Sequence, residues 1–421
     1  MKRILALLML LTLTLTTALA EDGSAAELLA AAAGGDADAA WTLAQQQEDE
    51  KEALSWILLA AGGGHAGAMY RLGMMYEEGE TLPRNMAESV KWIRAAREAG
   101  SGEAANRLAL HYAGGLTDGE GVEMIPVDME MAYTLFHEAD AKGAANTNTM
   151  DWLAYLHYEE DDFEASVAYA RRGMEMGSTY CINLLGNRYR KGEGVPRDIA
   201  EAVRLYKLAA EQGNGDSAYR LAEIYRTGKV GDRNMAEAIA WYRRGDELDS
   251  DKCQIELGLL YAAGVKDDED QELLAVDHAE AFRLLVAGMG DDLDDREALE
   301  WLGYYTAGNQ GVTLADYPLA LSFYRRAADL GSAYAMYQLG VMYQQGQGVE
   351  ADEAEAVRWY ALAEGAGYEL PADAAEAVRA AESAAGAEQA ESTEPAVMET
   401  DVPLADAAAD AAAEDVEAAV E

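Results

Sequence analysis

Five histidines, two cysteines and several runs of acids are the residues of this 421-residue chain best suited to bind a metal or to move protons. His65, His111, His137, His157 and His278 include no pair four apart with an intervening glutamate, the spacing that puts two imidazoles on one helix face around zinc. His111, just before Tyr112, reads as a solvated or core side chain rather than a ligand. Asp267, Asp268, Glu269 and Asp270, and Asp291, Asp292, Asp294 and Asp295, are dense enough in charge for calcium, but neither run has the alternating spacing that turns carboxylates inward around one ion. Both read as solvated acidic loops. No Gly-x-x-x-x-Gly-Lys-Ser/Thr, Gly-x-Ser-x-Gly or Ser-x-x-Lys pattern occurs, so phosphate-loop and nucleophile chemistry have no sequence support. The expectation is a non-enzymatic protein with no catalytic residue, no cofactor and no metal.

The elements that carry these residues recur. Leu185-Gly186-Asn187-Arg188-Tyr189-Arg190-Lys191-Gly192-Glu193-Gly194-Val195 returns as Leu339-Gly340-Val341-Met342-Tyr343-Gln344-Gln345-Gly346-Gln347-Gly348-Val349, and each is followed by Glu-Ala-Val-Arg, at 201–204 and 355–358. Units 65–100, 178–213, 214–249 and 332–367 are 36 residues each, and 101–143, 144–177, 250–290 and 291–331 are variants with insertions or a deletion. A truncated copy lies at 24–64, where Glu52-Ala53-Leu54-Ser55-Trp56 parallels Glu88-Ser89-Val90-Lys91-Trp92.

Within a unit, Leu185 and Tyr189, or Leu72 and Tyr76, share one helix face, and Ala202, Leu205, Tyr206 and Ala209 give a second stripe beyond the break at Gly192–Pro196. Each unit is therefore a helix, a turn and a second helix. A residue of minimal size directly after the leucine (Gly73, Gly186, Gly258, Gly303, Gly340, or else Ala109 and Ala222) implies close helix approach, because glycine otherwise costs about 1 kcal/mol in a helix. Closing glycines such as Gly100, Gly213, Gly331 and Gly367 suit a left-handed cap. Cys181 and Cys253 occupy a position held elsewhere by Ala68, Ser217 and Ala335. They read as small buried residues too far apart for a disulfide.

These residues resemble the Sel1-like repeat family, related to the tetratricopeptide (TPR) repeat, over 36–367. The resemblance implies an all-α, right-handed helical-repeat solenoid of about eight Sel1-like, TPR-like helix-turn-helix units. It also implies that first helices line a concave groove. Two residues before and two after the motif leucine, that groove would hold Tyr70 and Met74, Asn183 and Asn187, Tyr219 and Glu223, and Tyr337 and Val341, with Tyr304 from the seventh unit. Tyrosines there would either contact a partner or shield the seam between units. Residues 159–162, Glu-Glu-Asp-Asp, depart from the pattern by replacing a glycine turn, so either His157 or Tyr158 takes the tyrosine position there.

The ends differ from the repeats. Residues 1–20, with Lys2 and Arg3 ahead of an apolar run ending Ala18-Leu19-Ala20, read as a secretory signal. The expected organisation is then 21–64 as a degenerate repeat or cap, 65–367 as the solenoid, 368–385 as a capping helix and 386–421 as an acidic disordered tail. A formal charge of -45 argues against nucleic acid as a partner, and no later stretch is apolar enough to insert in a membrane after signal cleavage. The reading is a scaffold of the bacterial cell envelope, periplasmic or secreted, with a protein or peptide partner in its groove. The alternatives are a weak cell-wall-active enzyme or ligand-binding protein of the Sel1-like type, or a secreted effector.

Overall fold

In the computed structural model the described residues run from Gly23 to Glu391, apart from 230, 268–269 and 291–294. The expected signal at 1–20 and positions 392–421 of the expected tail lie outside them, as do Asp268, Glu269, Asp291, Asp292 and Asp294 of the two acidic runs. The chain forms two compact units that divide between Asp292 and Leu293. The first begins with α1 (Gly23–Ala33), α2 (Ala37–Gln45) and α3 (Glu50–Gly62). Six helix pairs follow it: α4 and α5 (Ala66–Glu78, Met86–Glu98), α6 and α7 (Gly102–Gly114, Met129–Ala141), α8 and α9 (Thr147–Glu159, Phe163–Glu175), α10 and α11 (Thr179–Lys191, Ile199–Glu211), α12 and α13 (Gly215–Thr227, Met235–Asp246), and α14 and α15 (Asp251–Ala263, His278–Ala287). The second unit holds α16 and α17 (Arg296–Thr306, Tyr317–Asp329), α18 and α19 (Ala333–Gln345, Glu353–Gly365) and α20 (Ala372–Glu391).

Each pair is delimited by side chains the sequence supplies at fixed places. Ser101, Ser178 and Ser332 cap first helices by accepting the backbone N–H groups of Ala104, Cys181 and Ala335. Asp128, Asp198 and Asp352 cap second helices the same way, each cap contributing about 1 kcal/mol. The second cap's own N–H donates back to the first helix: Asp198 to the Tyr189 carbonyl at 2.9 Å and Asp352 to that of Tyr343 at 3.0 Å. In the 144–177 unit Asp162 donates to His157 at 2.9 Å, so His157, not Tyr158, takes the tyrosine position. Asp161, with φ 59°, adopts there the left-handed turn that glycine makes elsewhere.

The core runs along the middle of each pair. The motif leucines Leu72, Leu108, Leu153, Leu185, Leu221 and Leu257 of the first unit are at most 2% exposed, and Leu302 and Leu339 of the second are fully buried. The small residue after them meets the second helix of its own pair. A Cβ added at Gly73 would lie 2.6 Å from Ile93 Cγ1, at Gly186 2.6 Å from Tyr206 Cε1 and at Gly303 2.7 Å from Tyr324 Cε1. That is closer than carbon atoms approach, so the expected seam exists and its filler is the ring or branched chain of the second helix. The closing glycines Gly100, Gly213, Gly331 and Gly367 all have positive φ, as a left-handed cap requires.

Within each compact unit, successive pairs are joined by a second helix packing on the next first helix. A polar ladder runs beside this contact. Arg171 donates to the Tyr189 hydroxyl at 3.2 Å and Arg243 to that of Tyr261 at 3.1 Å, and in the second unit Arg325 donates to Tyr343 at 2.8 Å, each 18 residues along the chain. Cys181 and Cys253 are free and fully buried at the same junction. Opposite them stand Gly173 and Gly245, where other units have alanine, such as Ala96, Ala209 and Ala327.

Two departures from the sequence reading are local. The insertions in 101–143 and 250–290 are not simple long turns but antiparallel hairpins: β1 (Leu116–Thr117) with β2 (Glu123–Ile125), and β3 (Val265–Lys266) with β4 (Glu272–Leu274). Each exists because its last strand residue, Ile125 or Leu274, is buried in the core, at 1% and 5% exposure. At the C-terminus α20 buries Ala374, Ala375 and Val378, and Ala374 and Val378 form the last cluster with Tyr360 and Ala356, as a capping helix would. It runs past the expected end at Ala385 to Glu391.

Candidate functional site

All nine side chains assigned to the first-helix groove, Tyr70, Met74, Asn183, Asn187, Tyr219, Glu223, Tyr304, Tyr337 and Val341, are half-buried. Several are engaged by the fold itself. Asn187 accepts the Tyr206 hydroxyl at 3.0 Å, and Glu223 accepts that of Tyr242 and the Arg226 Nε at 2.7 Å. Burial would raise the Glu223 pKa, but Arg226 and Tyr242 outweigh it and hold the carboxyl below its usual value. Tyr337 stacks on Tyr368 at 4.7 Å and leans on Tyr360 at 5.8 Å, and Tyr219 is tilted against Tyr242 at 6.4 Å. Tyr70 and Met74 pack on the core of the first unit. Burial raises the pKa of Tyr70, Tyr219 and Tyr337, so all three remain neutral hydroxyls at physiological pH. Asn183 differs: its Oδ1 is buried without a hydrogen-bond partner.

Each compact unit has a cavity lined mainly by first-helix side chains. A cavity of about 610 Å³ in the first is lined by Met129, Asp151, Trp152, Tyr155 and Tyr180. One of about 340 Å³ in the second is lined by Arg296, Glu297, Glu300, Trp301, Tyr304 and Tyr334. The two have the same plan. Asp151-Trp152-Leu153-Ala154-Tyr155 and Glu300-Trp301-Leu302-Gly303-Tyr304 occupy equivalent turns of α8 and α16, and Tyr180 and Tyr334 stand two residues after the caps Ser178 and Ser332 of the next first helix.

Trp152 and Tyr155 meet edge to face at 5.9 Å, as Trp301 and Tyr304 do at 5.6 Å. Each indole is backed by a buried ring, Phe136 stacked at 5.9 Å on Trp152 and Tyr305 at 5.4 Å on Trp301. That backing fixes the indoles' orientation. Burial pushes Tyr180 and Tyr334 up to about 12, with Asp151 and Glu300 among the charges adding to it. Asp151 accepts hydrogen bonds from the Ser178 hydroxyl and, at 3.0 Å, the Cys181 thiol, both on Oδ1.

Tyr304 alone belongs both to the expected groove and to a cavity; Trp152, Tyr155, Tyr180, Trp301 and Tyr334 were missed. The signal was in the sequence as a pentapeptide, acid-Trp-Leu-small-Tyr, that recurs once and is each time followed by Ser-x-Tyr at the start of the next unit. His111, 6% exposed, is a core residue whose Nε2 lies 3.5 Å from Glu77. Among the described residues no cluster of three or more His, Cys, Asp or Glu is placed to hold a metal.

This arrangement is that of a helical-repeat protein, and the sequence profile of the Sel1 repeat matches residues 44–65, 66–101, 102–141, 179–214, 215–245, 296–332 and 333–379. The chain belongs to the Sel1 repeat family. The profile passes over 144–177 and 250–290, yet both fold as helix pairs. Among solved structures the chain is similar to a protective antigen of uropathogenic Escherichia coli displaying an SLR fold, at 28% identity over 79% of this chain and 70% of that one, with a TM-score of 0.57. A Sel1 repeat protein from Oxalobacter formigenes matches at 24% identity over 85% and 90% of the two chains, with a TM-score of 0.43. A curated mouse relative, DAP3-binding cell death enhancer 1, is 27% identical over 176 residues, 41% of this chain. The match spans a third of the mouse protein's length.

Repeat proteins of this kind are generally protein-interaction scaffolds, typically without catalysis. Among the described residues no helix is long and apolar enough to cross a membrane.

Proposed function

We propose that this chain is a non-enzymatic scaffold of the bacterial cell envelope, reached through the signal at 1–20, and that it binds a protein or peptide partner on its first-helix face. The observation that carries the reading is the cavity at Trp152, Tyr155 and Tyr180: large, rigidly backed rings left lining open space. Aromatic side chains in such a setting are the usual anchors of protein interfaces, because they bring contact area at little cost in rotamer entropy. The repeat family supports the same role. Of the nine residues of the expected groove, Tyr304 lines one anchor pocket, while Asn187 and Glu223 are committed to internal hydrogen bonds.

The test is site-specific photo-crosslinking in cells that express the full chain. A benzophenone side chain at Tyr155 should capture a discrete protein, and one at Arg204, an exposed position on a second helix, should not. Equal capture at both positions, or none at Tyr155, would remove the reading. Cell fractionation in the same experiment places the crosslinked species in the envelope or outside it.

A further inference from the structure

The duplicated pocket has a chemistry narrower than protein binding in general. Each copy combines three aromatic rings with a carboxylate at the equivalent place, Asp151 in the first and Glu300 in the second, where Glu297 adds another. Ring faces carry negative electrostatic potential and attract a cation, and a carboxylate beside them supplies the formal counter-charge. In the second pocket Arg296 lines the wall and brings its Nε to 3.8 Å from Glu300, whereas the first pocket has Thr147 at the equivalent place, directly after the helix cap. A sugar would instead call for several hydrogen-bonding side chains spread along its hydroxyls. The formal charge of -45 further favours a cationic partner over an acidic one.

We propose that each pocket receives one lysine or arginine side chain of the bound protein, and that Arg296 partly fills the second pocket until it is displaced. This rests on the reading of the first-helix face as protein-binding. The Trp152 pocket is then the open site and the Trp301 pocket the self-occupied one.

The probes are Nα-acetyl-lysine amide and Nα-acetyl-arginine amide, with Nα-acetyl-norleucine amide as the uncharged control and N,N′-diacetylchitobiose as the glycan control. Each is titrated into the full chain, and binding is followed by tryptophan fluorescence and by NMR shifts of the indole N–H groups. The lysine and arginine probes should saturate one site and norleucine should bind at least about tenfold more weakly, the loss expected when a desolvated cation–π contact and its counter-charge are removed. Asp151→Asn should weaken that site about tenfold. It keeps the acceptor oxygen used by Ser178 and Cys181, so its melting curve should match the wild type. Arg296→Ala should add a second site that Glu300→Gln then abolishes.

Norleucine binding as tightly as lysine, indifference to Asp151→Asn, saturation by the chitobiose probe in place of the cations, or no binding of any probe would each overturn the proposal. A protein still captured at Tyr155 after any of these results would leave the scaffold reading intact. Cation binding without capture would leave the pocket and remove the scaffold.

Discussion

Replacing Gly173 by alanine would place a Cβ 2.9 Å from the Cys181 Cβ, closer still to its Sγ and 3.1 Å from the Met150 Cβ. Overpacking of this kind costs about 1–3 kcal/mol, while exchanging glycine for alanine in a helix returns about 1 kcal/mol. The single variant should therefore lose up to about 2 kcal/mol. Cys181→Ala alone removes one buried sulfur and leaves a small void, a loss of about 1 kcal/mol. Together the two changes recreate the alanine pairs of other junctions, as at Ala96 with Ala104 or Ala327 with Ala335. The clash disappears and the helix-propensity gain remains, so the double variant should equal or exceed the wild type. The coupling in the cycle should be on the order of 2 kcal/mol, far above the few tenths expected of independent sites. Urea unfolding of the four proteins under reducing conditions, followed by circular dichroism, measures it. Additivity within about 0.5 kcal/mol would refute the idea that glycine is present at 173 to accommodate the thiol. Gly245 and Cys253 offer an independent repetition of the experiment.

Three further outcomes follow from the same packing and charge. Gly340→Val should lower the melting midpoint, since even its Cβ would stand 2.5 Å from Tyr360 Cδ1; an unchanged melt would mean that α18 and α19 do not touch there. The midpoint should rise between low salt and about 1 M sodium chloride, because a formal charge of -45 repels itself within the compact state, and a flat curve would remove that argument. On acidification, stability should begin to fall below pH 6.5, because burial first and the neighbouring His157 second lower the His137 pKa, so the unfolded chain takes up that proton before the folded one. It should fall further from pH 4.5 toward 2: burial alone would raise Glu77, but His111 and Arg107 outweigh it and bring its pKa to about 2, so the folded chain resists protonation that the unfolded chain accepts. The Glu77 part is on the order of 3 kcal/mol at neutral pH, and Glu77→Gln should flatten the lower limb of a urea-midpoint profile against pH.

The helix pairs and their seam were legible because a period of 36 residues leaves leucine, glycine and tyrosine in fixed columns, and a column has a single packing explanation. What escaped had a physical reason each time. The two hairpins were hidden because a two- or three-residue strand is held by one buried side chain, Ile125 or Leu274, rather than by an alternating pattern. The register at 144–177 stayed open because His157 and Tyr158 are both rings of suitable size, and only the Asp162 backbone bond distinguishes them. The glycines at 173 and 245 look like helix defects until the thiols opposite them are placed.

The site was legible in part, and polar residues in the expected groove need an internal cause weighed before a functional one. Where a second helix carries a buried tyrosine, its hydroxyl must find an acceptor. In two pairs that acceptor stands nine residues after the first-helix cap, Asn187 for Tyr206 and Glu223 for Tyr242. In the pair α18 and α19 it is Gln344, 3.0 Å from the Tyr360 hydroxyl, and the position nine after the cap is released to become Val341. The variation among Asn187, Glu223 and Val341 thus follows from satisfying tyrosine hydroxyls. The same cause reaches one pocket wall, since Tyr334 meets the buried Tyr324 of the preceding second helix edge-on at 6.2 Å and shares a hydroxyl hydrogen bond with it. Other first helices hold small or charged residues two after the cap, such as Gly67, Glu103 and Asp216, and they fold as well. Tyrosine stands at that place only at 180 and 334, in the units that follow Trp152 and Trp301. Tyr180, at a place other units fill with small or charged residues and only where the preceding unit supplies its companions, makes the Trp152 pocket rather than the groove as a whole the place where the proposed partner would be recognised.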